Sequence, residues 1–361
     1  MTINNRQQTS RTNSPQREPI RLSIIGFGTV GRWLAKAIHE KKGLLATRYG
    51  FTATLVSVAN ARHGFIHRED GLDIPTLLAF VDRNRSLSEY PGAKHWPDAA
   101  QGLRATSFDV LAETTGVSLE NASVGVDHMR TALERGRSVV TSSKWPVAMA
   151  AAELLELARK RNVQFRCEST VMSGTPVLST LREGMAGARV TALRGVVNGT
   201  ANFILGEMEG GRTYNEALSE AQKRGYAENN PTDDVDGHDS VAKCLILAEF
   251  AFGKTFQTDQ VQPRGIAGIS REDVQMARDE GMRLKHLVSL SVNGDGRLHA
   301  SVEPVPVPLN DPLSLLDGTN CGISIDADPL NRVTIIGPGA GKELAGQGIF
   351  ADLIAVANRK V

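Results

Sequence analysis

The stretch DGHDSVAKCLILAEFAF, Asp236 to Phe252, sets a lysine in a run that is otherwise almost wholly apolar. Read as a helix, it puts Asp239 and Lys243 one turn apart on one face. Between Val241 and Phe252 the only charges are Lys243 and Glu249. A helix apolar nearly all round belongs in a core. A buried ammonium is costly unless something pairs with it or uses it. One reading is a salt-bridged or snorkelling core lysine. The other is an acid/base group, its pKa lowered by burial and its position held by the carboxylate. Just upstream, Glu228, Asp233, Asp234, Asp236 and Asp239 crowd into one segment. A calcium loop fails here: with Gly237 at its glycine position, the last ligand would be Lys243. A solvated acidic loop and a site for a cationic group, such as a substrate ammonium, both remain open.

A second chemical signal lies in RLSIIGFGTVGRWLAKAI. Gly26, Gly28 and Gly31 follow a short apolar strand at G-x-G-x-x-G spacing, with Phe27, Thr29 and Val30 between them and a helical pattern beyond. The first glycine lets the chain turn, the second lets backbone approach a pyrophosphate, and the third lets helix pack on strand. Free N–H groups at the helix start favour the phosphates. The next strand ends in VANARHG. Asn60 stands where an acid would bind a ribose 2′-hydroxyl, and Arg62 suits a 2′-phosphate. The expected cofactor is NADP, or both NADP and NAD, rather than NAD alone.

These groups need a frame. Strand patterns at 53–60, 108–115, 137–143 and 163–169 alternate with helical stretches. That alternation predicts an α/β protein with a doubly wound, Rossmann-type parallel sheet. Ligands bind at the carboxyl ends of such strands, where Thr114, Thr115 and Lys144 fall. Beyond 169 the pattern changes. ESTVMSGTPVLSTL reads as a turn entering a helix, and VTALRGVVNGTANFIL as strand, turn and helix, with Asn198-Gly199 the turn. A formal net charge of +1 gives no case for nucleic acid or an anionic membrane. No apolar run approaches a membrane span, and the N-terminus has no signal h-region. Three widely spaced cysteines fit a reducing compartment rather than a disulfide framework. Residues 1–19 are polar and read as a disordered tail, with a faint likeness to a transit peptide.

Taken in order, GFGTVG, VVTSSK, ESTVMSGTPVL, GVVNGTANFIL, GYAENNPTDDVDGHDSVAKCLILA and GPGAGKELAGQGIFADLI resemble the homoserine dehydrogenases. The resemblance covers nearly everything after the tail. It implies reversible, NAD(P)-linked interconversion of L-homoserine and L-aspartate 4-semialdehyde, on the route to threonine, methionine and isoleucine. It implies a cytoplasmic homodimer with a nucleotide-binding domain over 20–150, closed by about 330–361. An α+β catalytic and dimerisation domain would cover 151–329. By position, Asp239, Lys243 and Lys144 match catalytic residues of the family, and Lys144 also lies at the cofactor. Glu228 and Asp234 match contacts to the substrate, and Gly341 a glycine that approaches the cofactor. Glu168, Val171, Ser173 and Thr175 match positions that hold a monovalent cation, usually sodium, largely through backbone carbonyls. There are departures. Ser142-Ser143 precede Lys144 in place of Ala-Asn, Met172 and Thr175 alter the cation loop, Asn230 replaces an aspartate, and Leu344-Ala345 replace Thr-Ala. The chain stops at Val361, so neither an appended amino-acid-sensing domain nor a fused aspartate kinase is expected. Two other classes remain: an oxidoreductase for another amino-acid semialdehyde, and a non-catalytic NADP-binding sensor. A covalent semialdehyde dehydrogenase would need a cysteine nucleophile, whereas Cys167 and Cys244 read as structural.

Overall fold

The computed structural model describes residues 18–358. The expected tail therefore lies, but for Glu18 and Pro19, outside the described residues. The chain builds two sheets joined through one apolar core. The first contains β1 (Ile20–Ile25), β2 (Ala53–Asn60), β3 (Gly64–His67), β4 (Lys94–Trp96), β5 (Val110–Glu113), β6 (Ser138–Thr141) and β7 (Phe165–Arg166). Their order is β4-β3-β2-β1-β5-β6-β7. The five strands from β2 to β7 in that order are parallel, and β3 and β4 extend the edge antiparallel.

Both faces of this sheet are covered, as a doubly wound fold requires. On β5, Val110 and Ala112 join the core under the helix Thr29–Glu40, while Leu111 joins the opposite core under the helices Ala122–Glu134 and Lys144–Lys160. The helix Lys342–Asn358 returns to the first of these cores and supplies Ile349, Phe350, Leu353 and Val356. Its Gly346 lies against the Trp33 indole of the helix Thr29–Glu40, where a Cβ would collide with the ring. Phe350 meets Trp33 edge-on at 6.5 Å.

The second sheet is antiparallel throughout. It holds β8 (Arg189–Val196), β9 (Met282–Val292), β10 (Leu298–Pro308), β11 (Asn320–Asp328) and β12 (Asn331–Pro338), in the order β10-β9-β8-β11-β12. The helices Gly199–Glu209 and His238–Phe252 pack against it. Helix His238–Phe252 also packs on helix Lys144–Lys160, and this contact carries the core from one sheet to the other. β7 belongs to the first sheet and β12 to the second, so sheet membership changes between Arg166 and Arg189, and the last strand of the second sheet ends at Pro338. Strand patterns anticipated at 108–115, 137–143 and 163–169 are shorter than expected, because the chain leaves the sheet after Glu113, Thr141 and Arg166. After Gly174 the expected helix is one wide turn, Thr180–Gly184. Among the described residues no helix is long and apolar enough to cross a membrane.

Candidate active site

At the carboxyl ends of β1 and β5, the chain turns through Gly26 with φ +88°, and the Thr114–Thr115 peptide lies directly beneath it. Only glycine adopts that conformation freely, and a Cβ there would strike the peptide. Gly31 is equally closed, its Cβ falling 2.7 Å from the Gly26 carbonyl oxygen. Gly28 is open: the nearest atom to a Cβ there is 3.9 Å away. The helix starts at Thr29 with no side-chain cap. Two glycines therefore shape the turn, and the third leaves bare backbone at a helix N-terminus. That arrangement fits a dinucleotide pyrophosphate.

A cleft of about 790 Å³ opens beside this turn. Val30, Thr114, Lys144, Val171, Ser173, Glu228, Asp234, Asp239, Lys243 and Gly341 all line it. The other anticipated residues do not. Gly26, Phe27, Gly28, Thr29 and Gly31 form the turn behind Val30. Thr115 directs its hydroxyl to Glu113 at 2.5 Å. Arg62 is exposed beyond β2, with its backbone N–H donating to Asn60 Oδ1 at 3.1 Å. The Asn60 side chain caps that turn, also accepting from His63 N at 2.8 Å.

The centre of the cleft is one carboxylate between two ammonium groups. Asp239, 6% exposed, accepts Lys243 Nζ at 2.7 Å and is also ion-paired with Lys144. Lys243, equally buried, donates as well to the Val197 carbonyl at 2.6 Å. Lys144 opens helix Lys144–Lys160 and leaves 41% of its side chain exposed to the cleft. Burial alone would raise the Asp239 carboxyl. The two ammonium groups, Lys144 foremost, outweigh it and hold the group well below the usual carboxylate range. The Asp239 charge in turn raises Lys144, against the opposing effect of burial. Asp234 moves the other way. Burial raises it and the neighbouring Asp239 adds to that, while a hydrogen bond from Asn198 opposes.

Asn198 is the residue that the sequence pattern concealed. Its Nδ2 donates to Asp234 Oδ1 at 2.7 Å and to Asp239 Oδ2 at 3.0 Å. Its Oδ1 caps helix Gly199–Glu209 by accepting Ala201 N at 2.8 Å. The Asn-Gly pair signalled only a turn; the signal for its position was the strand before and the helix after it. Lys342, Tyr226 and Trp145 also line the cleft unanticipated.

The segment 168–175, with the short helix Ser169–Met172 inside it, borders the same cleft. Glu168 turns its side chain away and accepts the backbone N–H groups of Val177, Leu178 and Ser179 at 2.7–2.8 Å. Ser173 Oγ and Thr175 Oγ1 donate to the carbonyls of Gly339 and Pro338. The Glu168, Ser173 and Thr175 side chains hold this segment together, and Val171 packs in the core. Among the described residues no group of three or more His, Cys, Asp or Glu could hold a metal ion. All three cysteines are buried. Burial pushes the thiols of Cys244 and Cys321 up to about 12 and about 11, so neither is set up as a thiolate nucleophile.

The family model for homoserine dehydrogenase matches residues 176–354. An NAD(+)-dependent homoserine dehydrogenase from Pseudomonas canavaninivorans is 36% identical over 93% of this chain and 96% of its own length. A homoserine dehydrogenase from Methanocaldococcus jannaschii is 32% identical over 93% and 98%. Among solved structures, a homoserine dehydrogenase from Thiobacillus denitrificans superposes with a TM-score of 0.81 at 28% identity, covering 95% of this chain and 74% of that one. A hyperthermophilic archaeal homoserine dehydrogenase in complex with NADPH gives 0.78 at 29% identity, over 95% and 98%. With the paired lysines, the glycine turn and the second antiparallel sheet on one chain, these likenesses establish that the chain belongs to the homoserine dehydrogenase family.

Proposed function

We propose that this chain interconverts L-homoserine and L-aspartate 4-semialdehyde with NADP as the preferred cofactor and NAD as the second. The observation that carries the reading is Asp239 holding Lys144 and Lys243, from two different helices, in a cleft that opens on the glycine turn. When bound, the dinucleotide supplies the hydride chemistry. Gly26, Phe27, Gly28, Thr29, Val30 and Gly31 would hold its pyrophosphate, with Thr114, Thr115, Lys144 and Gly341 along its length and Arg62 at a 2′-phosphate. Lys243 holds the proton exchanged with the C4 oxygen, and Lys144, whose side chain is the more exposed of the two, polarises that oxygen. Asp239 fixes both. Glu228 and Asp234 hold the substrate ammonium at the far wall. The backbone carbonyls of Glu168, Val171, Ser173 and Thr175 would take a monovalent cation, most suitably sodium. On this reading the first sheet, with helix Lys342–Asn358, is the nucleotide domain. The second sheet is the catalytic domain and pairs two copies as a homodimer.

The test is turnover of L-homoserine by the purified protein with NADP and with NAD, read as reduced cofactor, beside other amino alcohols. Activity confined to another amino alcohol would move the substrate assignment. Cofactor binding without any turnover would make the protein a sensor.

A further inference from the structure

Glu113 ends β5 with no exposed surface, and the reaction as written does not use it. Its side-chain hydrogen bonds run to Thr115 and Thr141, beside the turns that build the cleft. Oε1 accepts Thr115 Oγ1 at 2.5 Å and Thr115 N at 3.3 Å. Thr141 Oγ1 donates to the Glu113 carbonyl at 2.9 Å and lies 3.3 Å from Oε2. That same Thr141 oxygen accepts Ser143 N at 3.0 Å, and Ser143 Oγ accepts Gly116 N at 3.2 Å. On the other side, Thr114 Oγ1 donates to the carbonyls of Ile25 and Gly26 at 3.0 and 2.8 Å. Residues 114–116 are thus tied left to the glycine turn and right to the turn that presents Lys144. Behind them, His128 Nδ1 stands 3.9 Å from Glu113 Oε1 and makes no hydrogen bond among the described residues.

A buried carboxyl is costly and persists where its acceptors are all in use. An alanine at 113 could complete the strand, because the β5 ladder is made by backbone. What the side chain adds is a fixed spacing between two loops from neighbouring strands. We propose that Glu113 is a positioning residue: through Thr115, Thr141 and Ser143 it locks the cofactor platform at Gly26 and Thr114–Gly116 to the turn that carries Lys144. This rests on the reading of Lys144 given above. The lock acts on both partners of the reaction. The platform and the polarising lysine are placed by one network rather than by two independent loops, and a displacement of about 1 Å at a reacting group costs on the order of 100-fold in rate.

Three variants test the proposal: Glu113→Ala, Glu113→Gln and Ser143→Ala. Each is measured for kcat, KM for L-homoserine, Kd for reduced cofactor by fluorescence titration, and Tm. In Glu113→Ala, kcat should fall about 10- to 100-fold, and cofactor should bind several-fold more weakly. Glu113→Gln should restore kcat to within about threefold. Its carbonyl can accept from Thr115, and its N–H can turn to Thr141 Oγ1 or His128 Nδ1. Ser143→Ala should lose a part of the same activity, and adding it to Glu113→Ala should cost little more, since both act through the Gly116 turn. A merely structural role predicts otherwise: Tm and active fraction fall in the alanine and glutamine variants alike, while kcat per cofactor-binding site is unchanged. Kcat and cofactor Kd of Glu113→Ala within twofold of wild type, or fully additive losses with Ser143→Ala, would overturn the inference. The cofactor titration does not depend on the substrate. A wild-type protein that fails to oxidise homoserine would sink the function proposed above, and the Glu113 inference would still stand or fall on Kd.

Discussion

Lys243 is set apart from an ordinary core lysine by what surrounds it. Its ammonium has two acceptors, Asp239 Oδ2 and the Val197 carbonyl, and its carboxylate partner is shared with a second lysine that faces the cleft. Lys243→Met keeps the length and suits the apolar helix. We expect kcat to fall about 10²–10⁴-fold while Tm holds or rises. A core role predicts lower Tm and near-normal kcat, so both are read on one preparation; a stable variant with more than about a tenth of wild-type kcat refutes the acid/base role. Asn198→Asp separates capping from charge. Aspartate caps a helix as well as asparagine does, but it replaces a donor by a third carboxyl beside Asp234 and Asp239. Turnover should drop markedly with little loss of helix stability by circular dichroism. At the cofactor end, Arg62→Glu should weaken NADP more than NAD, by about 10- to 150-fold. Equal losses in the two titrations would mean that Arg62 does not read the phosphate. At this scale the sequence was informative where chemistry is written in residue type and spacing. Gly26, Gly28 and Gly31, Asp239 and Lys243 could be picked out. Asn198 could not, because its importance comes from two acids at 234 and 239 that only folding brings to it. For Thr115 the sequence could not show that its hydroxyl points inward to Glu113.

Between elements, a fully buried polar tie lies under the second sheet. Lys285 of β9 is fully buried, and its Nζ donates to Asn202 Oδ1 at 3.0 Å and to the Leu316 carbonyl at 2.6 Å. Asn202 Nδ2 in turn donates to the carbonyls of Leu316, Gly318 and Asn320. Strand β9, the helix that Asn198 caps and the 316–320 turn are thereby joined. Burial, with some help from Arg283, lowers the Lys285 ammonium from 10.5 to about 8. The folded state therefore binds fewer protons than the unfolded chain between about pH 8 and 10.5. Over that window stability rises with pH, and the cost of burying the charge is fully felt below about pH 8. Compared with Lys285→Met, which does not titrate, the wild type should gain in Tm between pH 7.5 and 10 (roughly the limits of that window). Parallel curves would show that the lysine is not desolvated. None of this was visible in MRLKHLVSLSV, where a lysine in an alternating strand reads as a solvent-facing residue. Nor were the partners of β9 and β10 foreseen, because an antiparallel sheet is specified by contacts distant along the chain. The five parallel strands were legible, since each carries its own apolar run and its own turn.

Across the whole molecule, the cleft is made by three passes of the chain: the glycine turn and Lys144 from the first sheet, Asp239 and Lys243 from the helix on the second, and Gly341 with Lys342 on the return. The return depends on a close approach between two helices at Gly346 and Trp33. Gly346→Val should push the C-terminal helix off the indole. We expect a lower Tm, by several degrees for a loss of about 1–3 kcal/mol from overpacking, and weaker cofactor binding, because Lys342 opens that helix and Gly341 directly precedes it. Unchanged cofactor Kd at a lowered Tm would uncouple the helix from the cleft. The glycines of GKELAGQGIFADLI made this helix hard to read, since Gly346 and Gly348 count against helix by propensity. They are present because Trp33 and Ser169 leave no space for a side chain.

The same return has a consequence for synthesis. Trp33 leaves the ribosome long before Phe350, the ring it packs against. Until then the helix Thr29–Glu40 has an uncovered apolar face, and β1 and β2 lack part of their core. Domains tend to fold as they emerge, but the first sheet has to wait for the helix Lys342–Asn358 to complete this core. A nascent chain stalled before residue 342 should display this face to holdase chaperones and proteases even though all seven strands of its sheet are already made.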